Sequence, residues 1–167
     1  APGLCTQGDV TTARALARVA GAPGDARART AAGGALGCHV KDAPDLVARA
    51  LALKTAGGSL EAAVVHGVCG VDANHAVLLD VLRHGGPAAF EAAAGCVLVA
   101  RQRAAVLGAL WGRLQDGSPR VRLAAVAALR RLDAREARTH LGRAATTDTH
   151  PDVARAMVQL ASEWTTP

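Results

Sequence analysis

Aromatic residues are nearly missing from this sequence: its 167 residues include no tyrosine, one phenylalanine and two tryptophans. Sheets rely on aromatic and β-branched side chains, so this shortage argues against a β-rich core. Lysine is almost as scarce, with only Lys41 and Lys54, so the net charge of +5 is an arginine charge. No apolar run reaches eighteen residues, which argues against a membrane span. The four cysteines contain no Cys-x-x-Cys pair, which speaks against zinc ribbons, thioredoxin-like chemistry and covalent haem. The chain also lacks an initiator Met. It starts Ala-Pro-Gly, an end that fits either a truncated boundary or a signal-peptidase cut after a small residue.

What the sequence does have is Ala, Val and Leu in quantity, half its residues being apolar. That palette suits closely packed helices, and the length suits one domain over residues 1–167 without metal or disulfide staples. Glycine is plentiful at expected helix ends and small contact positions, where backbones can approach closely.

The stretch "SPRVRLAAVAALRRLDA", Ser118 to Ala134, reads as one helix that recurs along the chain. The five cores, its own included, are "RTAAGGALG" from Arg29, "LEAAVVHGV" from Leu60, "FEAAAGCVL" from Phe90, "RLAAVAALR" from Arg122 and "ARAMVQLAS" from Ala154. Their starts are about 31 residues apart, a repeat period. Before them stand "PGD", "GGS", "GGP", "GSP" and "THP", which end one helix with Gly or open the next with a capping residue or a first-turn Pro. The preceding helices are expected near 9–20, 44–56, 75–83, 103–114 and 134–145. A thirty-residue hairpin cannot bury its own apolar stripe, so neighbours must stack. The expected fold is all-α, a right-handed α-solenoid of about five helical hairpins. The first helix, with Thr11, Thr12, Arg14 and Arg18, should be its polar cap, and Trp164 a largely buried plug at the other end.

"DGSPRVRLAAVAALRRLDA", Asp116 to Ala134, resembles the second half of a bacterial HEAT repeat, with Asp and Pro in the turn, Val-Arg after it and small residues a turn later. "HPDVARAMVQLASEW", His150 to Trp164, is similar, whereas the first three units lack the Val-Arg pair. The resemblance implies a scaffold that presents an inner or edge surface to another protein. A minority of such proteins are bilin-lyase subunits or bind DNA, which leaves an accessory subunit of a cofactor-handling enzyme as the alternative.

Cys5, Cys38, Cys69 and Cys96 all lie in the first hundred residues. Cys38 and Cys69 hold equivalent repeat positions, so the spacing of about 8 to 10 Å between stacked helices keeps them from pairing with each other. An antiparallel hairpin instead returns Cys5 and Cys38 to the same end, and Cys69 and Cys96 lie a turn apart on parallel helices. Two disulfides are expected, which with the signal-peptidase-like start indicates a periplasmic or extracellular protein. Four buried thiols in a cytoplasmic protein are the other reading. A metal site of Cys38, His39, His66 and Cys69 would need neighbouring helical residues to converge although they point about 100° apart, so no metal is expected. His75, His84, His140 and His150 suit capping or solvated roles.

No catalytic residues and no cofactor are expected. Glu61 and Glu91 open equivalent helices, where a carboxylate favours the positive end. "AAGGALG", Ala31 to Gly37, lies within a helix and follows no strand, so it reads as tight packing rather than a phosphate cradle. Arginines gather in units four and five. Arg120, Arg122, Arg130, Arg131, Arg135 and Arg138, with Arg143 nearby, are the candidate partner-binding residues. Tracking a nucleic-acid backbone would call for stacking aromatics beyond Trp111, Trp164 and Phe90, and Asp116, Asp133 and Glu136 interrupt the patch. The expected partner is therefore another protein.

Overall fold

The computed structural model describes residues 5, 8–97 and 102–165, and among them every regular element is helical. The chain divides into two compact units, 1–98 and 99–167. The first holds α1 (Val10–Gly21), α2 (Ala26–Gly37), α3 (Pro44–Leu51), α4 (Ser59–Val71), α5 (Ala76–His84) and α6 (Pro87–Cys96). The second holds α7 (Arg103–Arg113), α8 (Pro119–Arg131), α9 (Arg138–Thr147) and α10 (Pro151–Glu163). Each consecutive pair is one of the five expected hairpins, and the fold class is that of an α-solenoid.

The punctuation works through ordinary capping chemistry. Asp9 and Asp25 accept hydrogen bonds from the backbone N–H groups of Thr12 and Arg27, each at 2.9 Å, opening α1 and α2. Proline occupies the first turn of α3, α6, α8 and α10, where its missing N–H costs nothing.

In the first unit the hairpins α1–α2, α3–α4 and α5–α6 stack so that α4 packs between α2 and α6. Leu36, Leu60, Val64, Val68, Leu82 and Phe90 fill the core. The "AAGGALG" segment does lie within α2, and its glycines set a close crossing with α4. A methyl group at Gly37 would run into the carbonyl oxygen of Val64, and one at Gly67 into that of Gly34. The outward positions Thr11, Thr12, Arg14 and Arg18 of α1 are exposed, while Ala13 and Ala20 turn inward.

Two boundaries differ from expectation. The third helix was expected to run to 56 but ends at Leu51, because Lys54 takes a left-handed conformation (φ 46°). A one-turn 3₁₀ helix, Ala56–Gly58, follows, in which Gly57 and Gly58 also have positive φ. The helix expected from 134 opens as a 3₁₀ turn, Arg135–Ala137, before α9, after Asp133 at φ 44°. In the second unit α8 packs on both α7 and α10, with Val121, Leu129, Leu141, Met157 and Leu160 as its core. Trp164 stands at the C-cap of α10, at the end where the plug was expected, with most of its surface covered.

Candidate partner-binding surface

All of the chain's excess charge belongs to the second unit: residues 99–167 contain eleven arginines and six carboxylates, while residues 1–98 contain eight basic and eight acidic residues. Each of those six carboxylates is held by an arginine. The pairs are Arg103–Glu136, Arg113–Asp116, Arg122–Asp148, Arg130–Glu163, Arg135–Asp133 and Arg155–Asp152.

Arg122 differs from the others. Its side chain is 11% exposed and that of Asp148 only 3%. The guanidinium donates to both carboxylate oxygens, from Nε at 2.7 Å and from Nη2 at 2.9 Å, and its Nη1 donates to the carbonyl of Asp116 at 2.7 Å. Such a fork-to-fork pair is both strong and geometrically specific. Asp148 also accepts from the backbone N–H of His150 at 2.8 Å, and Asp116 does the same for Ser118 at 2.9 Å. One arginine thus ties together the equivalent turns of two successive hairpins, α7–α8 and α9–α10. Burial alone would raise the pKa of Asp148, but the bonds from Arg122 and His150 outweigh it and hold the carboxyl below its usual range. Both residues line a small polar cleft with Gln115, Thr147 and Thr149.

The candidate binding residues therefore separate. Arg122 is committed to the turns, whereas Arg120, Arg130, Arg131, Arg135 and Arg138 have exposed side chains, as does Arg143. Arg130 reaches Glu163 at 2.9 Å across α8 and α10, and Arg135 pairs with its neighbour Asp133 at 3.1 Å, both pairs open to solvent. The sequence marks Arg122 only as the Arg of the Val-Arg pair in the repeat pattern, without showing what it grips. The available signal was the repeat itself, which sets Asp148 one period after Asp116. The stack of Trp111 on His140, with ring centroids 4.3 Å apart, was also not anticipated.

In the first unit the structure pairs Cys5 with Cys38 and Cys69 with Cys96, with Cα separations of 5.3 and 6.0 Å, inside the range a disulfide requires. Cys38 and Cys69 are thus each turned to another cysteine, and the arrangement Cys38, His39, His66, Cys69 is not assembled. His39 is buried and His66 exposed. Glu61, expected to stabilise a helix end, is buried and accepts from both the N–H and the hydroxyl of Thr55, each at 2.6 Å. It fastens the connection before α4. Phe90 is wholly buried in the core.

Comparison with known proteins agrees with this geometry. A family model described as HEAT repeats matches residues 76–162, just over half of the chain. No curated protein and no solved structure matches.

Proposed function

The chain belongs to the HEAT-repeat family, and from that premise we propose that it is a non-catalytic scaffold, a subunit that binds another protein through the exposed side of its second unit. HEAT repeats generally serve as protein-interaction scaffolds, and the observation that carries the reading for this chain is the uneven charge. A unit with a net charge of +5 presents a basic exposed side to a partner, with the exposed Arg120, Arg130, Arg131, Arg135 and Arg138 as the candidate contacts. Rigid stacked helices suit this work, since side chains on a fixed frame lose little entropy on binding.

The paired cysteines support an oxidising compartment, periplasmic or extracellular, as the place where the scaffold works. Affinity capture from the source organism, followed by cross-linking, tests the whole reading. A stoichiometric partner cross-linked through residues of α8 to α10 is the expected result. Turnover of a substrate by the isolated chain, abolished by one side-chain change, would overturn it.

A further inference from the structure

Two of the five surplus charges of the second unit lie on one helix, α9. α9 contains no carboxylate, and its two charged residues, Arg138 and Arg143, are exposed and have no carboxylate partner among the described residues. At 100° per residue they stand about 140° apart around the helix, with an axial offset of about 7.5 Å. Between them, on the outward face, lie only Thr139, Gly142 and Thr146, all exposed. The result is a shallow strip floored by two hydroxyl-bearing residues and a bare backbone, with a guanidinium on each side. Gly142 opens outward, because a Cβ built there meets nothing within 4 Å. His140, stacked on Trp111, borders the strip and joins α9 to α7.

We infer that this face of α9 is a docking strip for an acidic protein segment, which lies over Gly142 with carboxylates reaching Arg138 on one side and Arg143 on the other. The inference rests on the scaffold reading and adds the partner's chemistry and place. A carboxylate is the group a planar guanidinium grips in two-point fashion, and the Thr139 hydroxyl can donate to the same segment, while that of Thr146 donates to the carbonyl of Arg143 at 2.7 Å. A nucleic acid fits less well. Its backbone calls for a longer row of cations, and its bases for aromatic platforms, whereas the one ring on this face is already stacked on Trp111.

The test uses the full chain with a fluorescein-labelled deca-glutamate peptide as probe and a twenty-residue oligothymidylate as comparison. The peptide should bind and weaken as salt rises, since the contacts are exposed. Reversing both charges, Arg138→Glu with Arg143→Glu, should weaken it about tenfold or more, the scale expected for two exposed charge contacts turned repulsive. Gly142→Glu should weaken it as well while leaving the melting temperature undiminished, and Arg14→Glu on α1 should leave binding unchanged. The inference is overturned if the double reversal binds as well as the parent, if Arg14→Glu weakens binding equally, or if the oligonucleotide binds more tightly than the peptide. A cellular partner captured equally by the parent and the doubly reversed chain would leave the scaffold reading standing and end this inference. A peptide that docks on α9 in a chain that captures no partner would do the opposite.

Discussion

Replacing Arg122 by methionine keeps most of the apolar stem of the side chain but leaves the Asp148 carboxylate buried without its counter-ion. Breaking a buried pair in this way costs about 3 kcal/mol or more. Removing the exposed Arg155–Asp152 pair, with its side chains 73% and 61% open, should cost less than about 1 kcal/mol. Urea denaturation of the two variants at neutral pH measures the contrast, and equal losses would show that the turn-bridging arginine is ordinary. The same pair sets a pH dependence. Because the folded pKa of Asp148 lies below its usual 3.8, its contribution is fully present above that value and is lost as pH falls through the lower folded value. Stability of the parent should therefore fall below about pH 4 more steeply than that of Asp148→Asn, which has no carboxyl there to protonate. Parallel acid limbs would show that the carboxylate adds nothing.

At the level of helices and their packing, the decisive contact is the crossing of α2 and α4. Gly37→Ala places a methyl group against the carbonyl of Val64 and within 3.0 Å of the Cα of Gly67, all of it backbone that cannot rotate away. Overpacking at such a seam costs about 1 to 3 kcal/mol even though alanine is the better helix former. Gly142→Ala meets no neighbour, and should be neutral or stabilising. Thermal melts of the two variants that move in the same direction would refute this account. These elements were largely legible beforehand, because repetition multiplies weak signals: one Gly-Ser-Pro is a turn, and five equivalents at a constant interval are an architecture. The boundaries were less legible. Lys54 adopts left-handed backbone that its residue type does not advertise, and Asp133 one that aspartate tolerates but does not dictate, so the third helix stops early and the ninth begins as a 3₁₀ turn. The role of Arg122 is hidden in the sequence for a related reason. The sequence shows a charge, but whether an arginine faces solvent or a turn depends on a carboxylate 26 residues away.

Across the whole molecule, charge and cross-links fall on different parts: the surplus arginine lies in residues 99–167, and both cysteine pairs lie in residues 1–98. The first unit also has the repeats furthest from the HEAT pattern and the glycine-rich crossing, so it is where cross-linking adds most. The two bridges close separate loops, their cysteines 33 and 27 residues apart, and on the chain-entropy account each is worth about 3.5 kcal/mol. Neither loop contains the other, so the contributions should come close to adding. Reduction should accordingly raise hydrogen exchange in α1, α2, α4 and α6 by on the order of a hundredfold per bridge, while the amides of α8 and α10 keep their protection. Exchange mass spectrometry with and without a dithiol reductant, on protein whose thiols have first been counted by alkylation without reduction, gives the answer. Four alkylated thiols in the native protein would remove both bridges and, with them, the support for an oxidising compartment. Equal loss of protection in α8 and α10 would show that the bridges act on more than the unit that contains them.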